Sequence, residues 1–319
     1  MTFSLTEASG SDADLETMVA IVNATSPEEP TSVDELRWQD TTYPGGRRFL
    51  AWADGQPVGA GAVGRILVYP PEFDGLWATI TVVPGARRQG IGSAILAAVS
   101  AVAREAGKSA LHVPVSEARP DGIAFLTHRG FTEYERSKAV ELRLAGMAPP
   151  AVEPPTGIVI TSLAERPDLV GGVHAVAIEA FADIPGAGEP IVAGTLAEFR
   201  AREVDRPQIP HDAFMLALDA ESGTVVGYAS LLLVPDPVLR RSWHDMTAVG
   251  RAWRGRGIAR ALKLATIGWA VEHGLDTLET GNDTDNAPMR AVNARLGYRP
   301  LPDLLIMRGP VAGRIMDAP

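Results

Sequence analysis

No cysteine occurs anywhere in the chain, which excludes disulfides, thiolate zinc sites and a cysteine nucleophile. No apolar run approaches the roughly 18 residues of a membrane-spanning helix. The first residues, MTFSLTEASGSDADLE, place no basic flank before an apolar core, so no secretory signal is expected. Positive charge is short as well. With 29 Lys and Arg against 39 Asp and Glu, the formal net charge is −10. A field of that sign repels phosphate backbones and favours cationic or neutral small partners. Neither nucleic acid nor a membrane is expected as a partner, no metal site is expected, and a cytoplasmic location fits.

What is present is the composition of a soluble globular protein, 46% hydrophobic and 21% charged over 319 residues. That length suffices for two domains, each with its own core. The clearest break is AGMAPPAVEPPTG, from Ala145 to Gly157. Its four prolines suit a stiff, extended linker. The expected organisation is a domain over 1–146, a linker over 147–156 and a domain over 157–319.

The two halves are copies. A constant offset of 167 residues carries Arg87-Arg88-Gln89-Gly90-Ile91-Gly92 onto Arg254-Gly255-Arg256-Gly257-Ile258-Ala259. The same offset carries Val82 onto Val249 and the corner Arg129-Gly130-Phe131 onto Leu296-Gly297-Tyr298. One register held across some fifty residues reads as a duplication. In the second copy GIVITSLAE is an opening strand and PDLVGGVHAVAIEAF a helix. AFMLALD and TVVGYASLLLV are strands meeting at a turn, and SWHDMTAV is another. A helix from Gly257, the strand LDTLET, a helix from Asn286 and a last strand LLIMRG complete the copy. Meandering strands followed by strand–helix–strand–helix imply an α/β (α+β) fold: in each copy a mixed, mostly antiparallel sheet flanked by helices.

The glycine stretches lie between the end of a strand and the start of an apolar helix. Helix N-termini offer unpaired N–H groups and partial positive charge, which suits phosphates. Glycines let the backbone approach an anion, and arginines add forked donors. The stretch reads as a pyrophosphate cradle. It is not a nucleotide-triphosphate loop, because no Gly-Lys-Ser/Thr ending follows. The third glycine of the dinucleotide fingerprint is missing too.

The pattern Val-x-x-x-x-Arg-x-x-Gly-x-Gly/Ala before an apolar helix resembles the coenzyme A signature of the GNAT N-acetyltransferases. NAPMRAVNARLGYRP resembles that family's second motif, so the likeness implies two GNAT-like domains in tandem. In one tandem group, the mycothiol synthases, the C-terminal copy is the catalytic one. The resemblance implies acetyl-CoA as cofactor. The amides of Arg254, Gly255, Arg256, Gly257, Ile258 and Ala259 would hold its pyrophosphate, and Ala248 and Val249 would pair with the pantetheine arm where two strands splay. Asn282 and Asn286 would bind the arm or order a water. In the first half the matching residues are Thr81, Val82, Arg87, Arg88, Gln89, Gly90, Ile91 and Gly92.

Acetyl transfer to an amine needs a base for the ammonium and an acid for the thiolate. His244 and Asp245 lie on the strand leading to Val249, on opposite faces by strand alternation. Their first-half counterparts are Trp77 and Ala78, which cannot take a proton. The second half is therefore the expected catalyst and the first a structural or regulatory copy. Many family members carry an acidic tyrosine where this chain has Asn293; Tyr298 and Tyr228 are substitutes by residue type. Asp183 and Glu189 flank a Pro-Gly turn expected to hang over the acceptor. The expected reaction is acetyl transfer to a primary amine of a small molecule, such as a natural product, antibiotic or amino-sugar conjugate. A peptide N-terminus as acceptor and a non-catalytic acyl-CoA sensor are the alternatives.

Overall fold

Alternating and continuous apolar runs become strands, and the apolar stretches behind the two glycine turns become helices of fifteen residues each. The computed structural model describes residues 2–27, 29–66, 68–70, 72–185, 191–235 and 238–312. The chain forms two compact units, Met1–Arg136 with Pro302–Pro319, and Ser137–Leu301.

The first unit contains β1 (Phe3–Glu7), α1 (Asp12–Thr25), α2 (Val33–Thr42), β2 (Arg47–Ala53), β3 (Gln56–Arg65) and β4 (Leu76–Val82). It continues with α3 (Ile91–Glu105), β5 (Ala110–Ser116), α4 (Pro120–Thr127) and the start of β6 (Thr132–Arg143). The second unit takes the rest of β6, then β7 (Ile158–Ser162), α5 (Val170–Phe181), α6 (Leu196–Phe199) and β8 (Met215–Asp219). After these come β9 (Val225–Leu233), β10 (Arg241–Val249), α7 (Ile258–Glu272), β11 (Thr277–Asp283), α8 (Ala287–Arg295) and β12 (Arg299–Pro300). The last strand, β13 (Leu304–Pro310), belongs to the first unit.

The strand order is β1-β2-β3-β4-β5-β13 in the first unit and β7-β8-β9-β10-β11-β6 in the second. Among the described residues only β4/β5 and β10/β11 pair in parallel. Both sheets are thus mixed and mostly antiparallel, as the element order implied. The final strand of each sheet comes from the other half of the sequence. β13 pairs with β5 from Leu304 on Ser116 to Pro310 on Ala110, and β6 pairs with β11 from Ser137 on Asp283 to Arg143 on Thr277. Apolar alternation fixes which face of a strand is buried, but not which edge it joins. The exchange is therefore invisible in the repeat. Residues 148–155 hold neither helix nor strand, and a Cβ placed on Gly257 would lie 3.8 Å from Pro155.

In the first unit α3 packs Ile91, Ile95, Leu96 and Val99 on Leu76, Leu111 and Met307. In the second, α7 packs Ile258 and Leu262 on Val226, Ala229 and Val249. A separate cluster gathers Val173, Val176 and Ala177 of α5 with Phe214, Tyr228 and Ala248. Each large aliphatic or aromatic side chain so buried contributes about 1.5–3 kcal/mol. Among the described residues no helix is long and apolar enough to cross a membrane.

Candidate active site

Both parallel pairs come apart almost at once. β10 and β11 pair only from Arg241 on Thr277 to Trp243 on Glu279, and β4 and β5 only at Leu76 on Leu111 and Trp77 on His112. In the second unit the next link is a side chain: the Thr280 hydroxyl donates to the His244 carbonyl at 2.9 Å. Beyond it the β11-facing edge of β10 is free of ladder pairing, which opens a cleft leading to the glycine turn.

The turn is built alike in both units. Gly257 has φ +88° and Gly90 φ +87°, in the left-handed region where a side chain is strained. Neither α7 nor α3 receives a side-chain cap at its N-terminus, whereas Ser11, Ser32 and Thr195 cap α1, α2 and α6. The first-turn amides of both helices are thus left to a ligand or water. Arg254 Nε donates to the Val249 carbonyl at 2.9 Å, as Arg87 does to Val82 at 3.1 Å. Arg256 Nη2 donates to the Ala252 carbonyl, and its guanidinium lies 4.7 Å over the Trp253 ring. Gln89 makes the corresponding bond to Gly85.

Asp183 sits on this turn. It takes two hydrogen bonds from Arg251, at 2.8 and 2.7 Å, and an ion pair from Arg254 at 2.8 Å. Chiefly through Arg251, its carboxyl is held down at about 2. Glu179 accepts the Arg251 N–H at 2.9 Å. Asp183 is therefore a partner of cradle arginines. Glu189 lies outside the described residues.

Of the three asparagines, Asn286 caps α8, accepting the Met289 N–H at 3.3 Å. Asn293 and Asn282 form a pair, Nδ2 to Oδ1, at 2.7 Å. Asn293 is buried, and its own Oδ1 has no partner among the described residues. A buried amide oxygen left open is costly unless something donates to it. The pantetheine arm of coenzyme A carries such N–H donors. Uncapped amides, a glycine in the left-handed region and this open acceptor fit that group.

His244 and Asp245 diverge as strand alternation predicts, helped by a bulge in β10 between His244 and Thr247. His244 is 1% exposed. Its Nε2 lies 3.2 Å from the Thr266 hydroxyl and its Nδ1 3.2 Å from the Tyr298 hydroxyl. Thr266 gives its single hydroxyl hydrogen to the Lys263 carbonyl at 2.9 Å. This assigns the ring hydrogen to Nε2, and Nδ1 then accepts from Tyr298. Burial, with Lys263 nearby, holds His244 neutral. Both nitrogens are spoken for. Tyr298 is buried too, which raises its pKa.

Asp245 is half-buried on the other side. Its surroundings lift its pKa to about 7, chiefly by desolvation and then by the charge of Glu203, against Arg206, a hydrogen bond from Ser230, and Arg202. Arg202 bonds Glu203 at 2.7 Å. Tyr228, on β9 with Ser230, is buried and its hydroxyl has no partner among the described residues; Glu203 and Asp245 add to the upward shift that burial gives it. A carboxylate poised near neutrality beside an open hydroxyl can accept a proton from an amine.

Sequence reasoning missed Glu203, Ser230, Thr266 and Lys263. Lys263 was discoverable, because it sits between Leu262 and Leu264 where the first copy has Leu96. It is 2% exposed and forms no ion pair among the described residues. Its ammonium lies 5.4 Å over the Tyr298 ring, and burial lowers its pKa to about 7.

The family model described as "Acetyltransferase (GNAT) family" matches residues 15–131 and 187–298. Among curated proteins, a mycothiol acetyltransferase of Thermomonospora curvata is 26% identical, covering 78% of this chain and 74% of that protein. One of Brachybacterium faecium is 30% identical, covering 68% and 63%. Among solved structures, a tandem GNAT protein from the clavulanic acid biosynthesis pathway matches with a TM-score of 0.76 at 20% identity, covering 97% of this chain and 99% of that one. A GCN5-related N-acetyltransferase from Sphaerobacter thermophilus matches with a TM-score of 0.70 at 18% identity, covering 97% and 96%. The chain belongs to the GNAT acetyltransferase family, is an acyltransferase, and carries that family's domain twice.

Proposed function

We propose that the second copy transfers the acetyl group of acetyl-CoA to a primary amine of a small molecule, with Asp245 as the base. The carrying observation is the state of Asp245, a half-buried carboxyl near neutrality at a strand bulge. The first-turn amides of α7 and the side chain of Arg256 hold the pyrophosphate end of the cofactor. The open edge of β10 and the Asn282–Asn293 pair hold its arm. Acetyl-CoA supplies an activated acyl thioester. Asp245 takes a proton from the acceptor ammonium, and Ser230, whose hydroxyl accepts the Met246 N–H, lies beside the carboxylate. His244 takes no proton: it braces the cleft vertex through Tyr298 and Thr266. This division makes 157–319 the catalytic copy and 1–146 the structural or regulatory one.

A small acceptor is favoured by the negative net charge and by the mycothiol acetyltransferases among the relatives. The test is release of free thiol from acetyl-CoA over a panel of small amines and peptides. Small amines should support turnover that Asp245→Asn removes. Turnover confined to peptide N-termini, or unchanged in Asp245→Asn, would overturn the reading.

A further inference from the structure

The two glycine turns match bond for bond, yet what faces them differs. In the first unit the turn is tied to α4. Arg87 holds the end of β4 through Nε to the Val82 carbonyl, and its Nη1 reaches the Asp121 carboxylate in the first turn of α4 at 2.7 Å. One side chain therefore spans from the strand end to the helix across the splay. A second tie lies just past the C-terminal end of α4. Arg129 donates to the Ser93 hydroxyl on α3 at 2.8 Å and to the Phe125 carbonyl at 2.8 Å, with its guanidinium 3.8 Å over the Phe125 ring.

The ring fills the gap between the ties. A Cβ placed on Gly92 would meet Phe125 Cε2 at 3.2 Å and Cζ at 3.4 Å, and Val82 Cγ2 at 3.8 Å. The aromatic ring thus rests on the first turn of α3, at the glycine that Val82 of β4 also approaches. Val115 and Phe125 pack on the core with Ile80 and Val82, and Leu126 is buried in it.

In the second unit the turn arginine also meets a carboxylate, Asp183, but that residue lies behind α5 and not on the helix across the splay. At the offset of 167, Asp121 becomes Pro288, Phe125 Val292, Arg129 Leu296, Val115 Asn282 and Leu126 Asn293. Among the described residues no hydrogen bond or ion pair joins α8 to residues 254–263. Apart from Asn293, α8 buries nothing.

We propose that α4 is a built-in strap holding the first unit's cradle closed against coenzyme A, with Phe125 occupying the cleft and Asp121 tying the helix to the turn arginine. An extended arm entering the splay meets the ring. The chain then binds one equivalent of coenzyme A, in the second unit.

Titration calorimetry with coenzyme A on the full chain tests this. The wild type should bind one equivalent, and Gly257→Glu, which blocks the second-unit turn, should bind none. In the Gly257→Glu background, Asp121→Ala and Phe125→Ala should together restore a binding event in the first unit, at least tenfold tighter than without them. Asp121 is exposed, so Asp121→Ala alone serves as the milder variant, and thermal melting reports that each chain is folded. Two equivalents on the wild type, one retained in Gly257→Glu, or folded strap variants that still bind nothing would each overturn the proposal.

Discussion

The Tyr298 hydroxyl donates to Nδ1 of His244 at 3.2 Å, inside the core between α7 and the sheet. With Thr266 on the other nitrogen, the imidazole is a bracket between two hydroxyls. Replacing it removes both bonds and leaves a cavity. His244→Ala should therefore lower stability by about 2–4 kcal/mol. At a temperature well below its melting point it should keep kcat within about tenfold of the wild type. Thermal unfolding and steady-state kinetics decide this. Unchanged melting with a hundredfold loss of kcat would make His244 the proton acceptor instead.

Asp245 should show the reverse. Asp245→Asn is nearly isosteric and should fold, while kcat falls by about 100-fold or more. With the carboxyl at about 7, the base form is scarce at pH 5.5 and full by pH 8.5. Wild-type kcat should rise through pH 7 and then level. The sign for stability is opposite. A carboxyl raised in the folded state favours folding below its unfolded pKa of about 4, and that contribution is lost as pH rises through 7. Asp245→Asn should therefore be stabilising at pH 8 relative to pH 4. A flat rate profile across this range would remove Asp245 from the reaction.

These two residues also mark what the sequence could say. The glycine turns were legible, because glycine in the left-handed region suits a strand–turn–helix of that spacing. The opposite facing of His244 and Asp245 was legible from strand alternation. What each side met was not. Thr266 lies on a helix 22 residues later and Tyr298 beyond another helix, so their convergence on His244 is a tertiary fact. The loop around Asp183 suggests an acceptor ligand, since nothing local signals that Arg251 and Arg254 hold its carboxylate. The exchange of β6 and β13 was hidden for a related reason: edge choice leaves no periodic trace.

Lys263 offers a test of buried charge. Its amine is held at about 7 by desolvation, against about 10.4 in an unfolded chain. Stability from a depressed amine is present above the unfolded pKa and is lost as pH falls through the folded one. Lys263→Leu, the residue type of the first copy at Leu96, avoids that loss. It should stabilise the protein by about 2–4 kcal/mol at pH 7 and by much less at pH 10. Denaturant unfolding at the two pH values measures it. An equal effect at both would mean that Lys263 stays charged in the fold.

Asn293 separates the binding of acetyl-CoA from the chemistry. Its Oδ1 is buried and open, and its Nδ2 fixes Asn282 at 2.7 Å. An acceptor held in place before the ligand arrives costs little to use, and its loss should appear in binding rather than in the proton step. Asn293→Leu copies Leu126 of the first unit and leaves Asn282 Oδ1 without its donor. The KM for acetyl-CoA should rise by about tenfold, with kcat reduced less than threefold and the KM for the amine unchanged. Asn293→Asp keeps an acceptor but replaces the Nδ2 donor with a second oxygen facing Asn282, so it should be no better than Asn293→Leu. The position is also where many relatives by motif carry an acidic tyrosine. If Asn293 instead served the departing thiol, both variants would lower kcat with the KM for acetyl-CoA intact. Initial rates at varied acetyl-CoA and saturating amine distinguish these patterns directly.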